Sequence, residues 1–89
     1  MTDSAKAVTV IKTLQAAECE QAAVALSMLN GLIGLVQADG GESLEVEEAR
    51  SSAFMAICEI GKALHRGQPA ERLWAQAIAA AERWKSLAT

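Results

Sequence analysis

QAAVALSMLNGLIGLVQA, residues 21–38, runs for eighteen residues without a charged side chain and is followed at once by DGGE, residues 39–42. The run decides the fold class. Within it and just before it, Cys19, Ala22, Leu26, Leu29, Ile33 and Val36 recur at alternating spacings of three and four, the stripe of an amphipathic helix. A second stripe, Ala25, Met28, Leu32 and Leu35, lies beside the first, so the helix needs apolar neighbours on two sides. Paired glycines then supply the left-handed positions of a C-cap and a tight connection.

Working outward gives three helices. Helix A spans residues 13–39. Before it, the β-branched Val8, Thr9, Val10, Ile11 and Thr13 suit either an extended or flexible arm over residues 1–12 or an earlier helical turn. Helix B spans residues 43–66, with Val46, Ala49, Ala53, Ala56, Ile60 and Ala63 in one stripe and Phe54, Ile57, Gly61 and Leu64 alongside. Gly67 stops it, and the following Gln68-Pro69-Ala70-Glu71 opens helix C, residues 69–87, with Pro69 suited to the first helical position. Helix C carries Leu73, Ala77, Ala80, Trp84 and Leu87, widened by Trp74, Ile78 and Ala81. The expectation is one all-α domain: an antiparallel hairpin of two long helices with a shorter third.

That layout implies a second chain. At ~1.5 Å per residue, helices A and B would each be roughly 35 Å long, and helix C is too short to cover both wide stripes. Of the chain's residues 52% are apolar, but nineteen of the 89 are alanine and only three are aromatic, so the area available for burial is modest. A helical-bundle homodimer is therefore expected. Ala23, Ser27, Gly31, Gly34 and Ala38 form a track of small residues that would admit another backbone closely, either helix B of the same chain or a second copy.

The net charge of −3 argues against nucleic acid, whose phosphates demand clustered Lys and Arg. Residues 1–48 carry a net −6 and residues 49–89 a net +3, so the halves should attract, within a chain or between chains. No basic or aromatic anchors flank the uncharged run, which reads as a buried helix and not a membrane span. The first ten residues lack the pattern of a secretory signal, and a cytoplasmic location is expected.

Candidate chemistry is sparse. His65 is the only histidine and no tyrosine is present. With Arg66 it occupies the last turn of helix B, where cations favour the helix dipole, so no catalytic residue is assigned. Cys19 and Cys58 are too few and too far apart for zinc, and in the hairpin they miss one another by about five residues along the axis, so both read as small buried apolar groups. Asp39, Glu42, Glu45, Glu47 and Glu48 lack the alternating pattern of a calcium loop and complement the N-terminus of helix B, with an acidic docking knob as the alternative. No metal or cofactor is expected.

Trp74 and Trp84 are ten residues apart and need not share a face; Trp84 continues the stripe and reads as core. Trp74 is the more available, and with the nearby Arg72 and Arg83 it is a candidate anchor for a partner.

The run from Ala22 to Leu35, the acidic glycine-containing loop, and AFMAICEIGKAL, residues 53–64, resemble a group of short pseudomonad proteins of unknown function built on a two-helix, alanine- and leucine-rich domain. The resemblance covers about half of the chain. It implies a helical-hairpin fold and a bacterial origin, and no activity.

Two function classes follow. The first is an interaction protein, a homodimer that binds and modulates or inhibits another protein, as anti-activators, immunity proteins and phage antagonists do. The second is a small-molecule binder with a pocket between helices lined by Met28, Phe54, Met55 or Trp74.

Overall fold

The computed structural model describes residues 2–37 and 43–88. They form four helices, α1 Asp3–Glu18, α2 Ala22–Val36, α3 Leu44–His65 and α4 Glu71–Ala88, and no strand lies among the described residues. The all-α class holds.

The expected arm is a helix. Thr2 caps α1 by accepting from the Ala5 N–H at 3.1 Å, and Thr9 turns its hydroxyl back to the Ala5 carbonyl at 3.1 Å, which satisfies a β-branched polar residue inside the helix. Ala7, Val10, Leu14 and Ala17 are fully buried at three-four-three spacing. Tertiary burial outweighs the β propensity of Val8 to Ile11 here.

Helix A is not continuous. The Cys19 and Glu20 N–H groups reach back to the Ala16 and Ala17 carbonyls at 3.2 and 3.0 Å, which tightens the end of α1, and Gln21 is extended with φ −65° and ψ 155°. No glycine or proline marks the break. The buried stripe ends at Ala17 and resumes at Ala25, Leu29, Leu32 and Val36, and at ~100° per residue the two sets share one arc of about 120°, so no change of phase marks the break either. The core of α2 thus takes Leu29 and Val36 from one expected stripe and Ala25 and Leu32 from the other. Cys19, expected to be buried, is an exposed C-cap whose Sγ lies 3.7 Å from the Gln15 carbonyl oxygen.

Helix α3 begins at the Ser43 cap, whose hydroxyl accepts from the Val46 N–H at 3.2 Å, with Glu45 and Glu47 in the first turn. It ends in a Schellman motif. Gly67 takes φ +65°, its N–H reaches the Leu64 carbonyl at 3.3 Å, and the Gln68 N–H reaches that of Ala63 at 2.9 Å. Helix α4 starts two residues after Pro69, with the Ala70 carbonyl accepting from Trp74 at 2.9 Å, so the proline precedes the first turn and does not occupy its first position.

Around the bundle each helix packs on two others: α1 on α2 and α4, α3 on α2 and α4, with α1–α3 and α2–α4 as diagonals. One core runs through it, built from α1's stripe, α2's stripe, Val46, Ala49, Ala53, Ile57, Ile60 and Ala63 of α3, and Trp74, Ala77, Ala81 and Trp84 of α4. Both tryptophans belong to this core. The expectation that Trp74 is available to a partner is corrected: it is 6% exposed.

The main-chain extents are 36 × 19 × 18 Å and the accessible surface is 5201 Å². A folded chain of this mass exposes about 5,000 Å². The total exposed surface is thus ordinary for a chain of this mass, with α1 as the fourth helix that the three-helix layout lacked.

Candidate functional site: the outer side of α2 and α3

Helix α2 is the uncharged helix of the bundle. Its inner residues reach the core, and its outer surface is made of Ala22, Ala23, Val24, Ser27, Asn30, Gly31 and Gly34, all exposed. A Cβ added to Gly31 or Gly34 would meet nothing within 4 Å. The small-residue track is thus free of α3, which corrects the alternative of a close crossing inside one chain. Ala38, like Asp39 and Glu42 of the acidic cluster, lies outside the described residues.

Beside the track, between α2 and α3, lies an open groove of about 250 Å³. Leu29 and Ile57 belong to its buried floor, Leu26, Ile33 and Gly61 to its sides, and Asn30, Cys58 and His65 supply its polar atoms. Its existence follows from the sequence: Gly61 puts no side chain into the space that Leu26 and Ile33 leave open, and a Cβ there would touch nothing within 4 Å. None of the expected lining residues takes part. Met28 and Phe54 pack against the core, Trp74 is buried elsewhere, and Met55 points outward, 64% exposed.

The two groups with reactive potential do not combine. Cys58, half-buried, and His65, exposed, stand seven residues apart on one helix, roughly 10 Å along the axis, beyond proton-transfer reach. Among the described residues no three His, Cys, Asp or Glu side chains gather where a metal ion could be held, and no helix is long and apolar enough to cross a membrane.

Helix α3 carries a stripe that sequence reading passed over. Leu44, Glu48, Ser51, Met55, Glu59, Lys62 and Arg66 are all exposed and recur at intervals of four, three, four, four, three and four along and just past the helix. Among the described residues, Leu44 at 72% and Met55 at 64% are the two most exposed large apolar side chains. Glu48 stands toward the acidic start, and Lys62 and Arg66 at the basic end; Lys62 Nζ lies 3.3 Å from Glu59 Oε1 in an exposed ion pair. The signal was available as the complement of the buried stripe.

The other expected interface residues fall apart in space. Trp74 and Trp84 are inside, while Arg72 and Arg83 are exposed on α4, the helix diagonal to α2, so the arginines and the small-residue track do not share one contact surface. Ala23, Ser27, Gly31 and Gly34 lie together on the exposed side of α2, clear of α3. None of the protein-family models, curated proteins or solved structures compared with the chain matches it.

Proposed function

We propose that this chain is a non-catalytic protein-interaction module in which α2 and α3 form an antiparallel hairpin whose outer side docks onto another helical protein surface. In this reading it is a cytoplasmic bacterial protein that assembles as a homodimer and modulates or inhibits a further protein, in the manner of an anti-activator, an immunity protein or a phage antagonist. One observation carries the proposal: a helix free of charge from residue 21 to residue 37 turns small residues outward beside an apolar groove. Water solvates such a surface poorly, and a partner helix can approach its backbone closely.

The test is a photo-crosslinking amino acid placed at Ser27 on α2 and, as a control, at Ala75 on α4, both exposed. Adducts in cells from Ser27 and not from Ala75 support the module; no adduct from Ser27 removes it. The groove supports a second reading, a site for a small apolar molecule, because its floor is hydrophobic and its polar atoms are few. Native mass spectrometry of the purified protein decides that reading by the presence or absence of a retained ligand.

A further inference from the structure

We infer that the groove between α2 and α3 binds a linear acyl chain that ends in a carboxylate, with the tail over Leu29 and Ile57 and the head at His65. The inference rests on the reading of the groove as a small-molecule site and adds the ligand class and its direction.

Shape selects a chain. On α2 the lining runs from Leu26 to Ile33 and on α3 from Ile57 to His65, about 10 and 12 Å along the helix axes. A volume of about 250 Å³ drawn out over that length is narrow, and it suits one extended chain better than a fused ring system. Since a cavity of ~150 Å³ takes benzene, there is room for about eight carbons.

Polarity puts the head group at the edge. The floor, Leu29 and Ile57, is buried, and Leu26, Ile33 and Gly61 beside it are half-buried. Asn30 and His65 are exposed, so hydrogen-bonding side chains stand only where water already reaches. A polar head laid on the floor would lose its hydration and gain no partner apart from the weak thiol of Cys58. The ligand must therefore be apolar inside and polar at its outer end.

Charge gives the direction. Arg50, near the start of α3, bonds the last turn of α2, so α3 runs back along α2 and His65 lies toward the Leu26 end of the groove. Ile33 and Ile57 stand toward the other end, where a tail belongs. No acid lines the groove and α2 carries no charge, while the last turns of α3 hold Lys62, His65 and Arg66 against Glu59, which is already paired with Lys62 at 3.3 Å. An ammonium head would face those cations. A carboxylate meets the imidazole N–H of His65, and Asn30 adds an amide donor on the α2 side.

The chain contains its own reporter and control, because Cys58 lines the groove and Cys19 is exposed at the end of α1, both as free thiols. Alkylation of the full chain by iodoacetamide, resolved by site in a mass spectrometer, is followed with octanoate as the probe. Octanoate should slow the modification of Cys58 severalfold and leave that of Cys19 unchanged. Octanol, the same chain without the charge, should need about tenfold higher concentration for equal protection, the factor for one hydrogen bond to a charged group. His65→Ala should bring octanoate to the level of octanol and leave octanol as it was. Gly61→Leu, whose Cβ meets no atom within 4 Å, should fill the groove and abolish protection. Amide NMR of the same titration reads the site independently, with shifts expected at Leu26, Ile33, Gly61 and His65.

Equal protection by octanoate and octanol, or a response unchanged in His65→Ala, overturns the carboxylate head and keeps the groove as an apolar site. Protection that survives Gly61→Leu, equal protection of Cys19, or shifts spread over α1 and α4 overturns the inference by placing binding elsewhere. No protection and no shifts with either probe removes the small-molecule reading of the groove along with the inference.

Discussion

Arg50 Nη1 donates to the main-chain carbonyl of Val36 at 2.8 Å and so fastens the last turn of α2 to α3. The Val36 carbonyl ends the helix and has no onward helical N–H, and a cationic donor at a helix C-terminus is favoured by the dipole as well. The guanidinium is largely buried, with Glu47 Oε1 3.6 Å from Nη2, while its Nε has no acceptor. The arginine is thus a clamp on the one helix that has no charged side chain of its own.

Replacing Arg50 with Met, which keeps most of the aliphatic packing, should cost about 1.5–3 kcal/mol, the range for a hydrogen bond to a charged group. In a domain of this size each kcal/mol lowers Tm by about 4–8 °C. Calorimetry checks the loss, and amide exchange should show the added opening concentrated at Leu32 to Val36. A uniform loss of protection across all four helices would mean that the clamp does not act locally.

The two tryptophans should behave alike, contrary to the sequence-based expectation of one core residue and one anchor. Trp74→Ala and Trp84→Ala should each destabilise the fold by about 3–5 kcal/mol, since both are buried. Trp84→Phe should be far milder, about 1.5 kcal/mol or less, because the indole N–H of Trp84 is buried without an acceptor and its removal relieves that penalty while a cavity opens. Denaturant unfolding of the three variants would decide; a Phe variant as damaged as the Ala variant would mean that shape, not polarity, governs the site.

The helical class and the ends marked by Gly67 and Ser43 were legible because capping chemistry is local. Helix α1 was not legible, and the reason can be named. Val8, Thr9, Val10 and Ile11 favour extended backbone in isolation, and their helix is held by contacts with α2 and α4, which sequence spacing does not contain. The break at residues 19–21 was masked because Cys19, Ala22, Leu26 and Leu29 continue a plausible stripe across it. Trp74 was placed outside for a related reason: Leu73 and Trp74 are adjacent, and on an alanine-rich helix spacing alone does not show which of them meets the neighbours. On the site, the small-residue track was readable in α2, whereas its exposure depended on where α3 lies.

The status of α1 is open to direct measurement. Leu14→Ala should cost about 2–5 kcal/mol, as for a buried leucine in any core, while Lys12→Ala on the exposed side should change stability by less than about 0.5 kcal/mol. Deleting residues 1–19 should leave a chain with residual helix but no cooperative melt, because the buried faces of α2 and α4 lose their cover. A truncated chain that still melts cooperatively at an unchanged Tm would restore the reading of residues 1–12 as a mere arm.

Glycine substitutions separate the backbone roles from the surface ones. Gly67 sits at φ +65°, where a Cβ meets the preceding backbone, so Gly67→Ala should destabilise by about 1–2 kcal/mol even though nothing lies within 4 Å of the new atom. At Gly31 and Gly34 the backbone is helical and the space is open, so Ala should stabilise each position by up to about 1 kcal/mol through helix propensity. Leucine at Gly31 or Gly34 should likewise leave the melt of the single chain intact, since the added side chain points away from α3. Its effect should fall on association alone. Thermal melts run below and above the concentration at which the chain assembles would display the difference: equal Tm values in the dilute samples, and a lower Tm for the Leu variants only where the wild-type is stabilised by mass action. A Leu variant that melts early in dilute solution would place the track inside the fold of one chain after all.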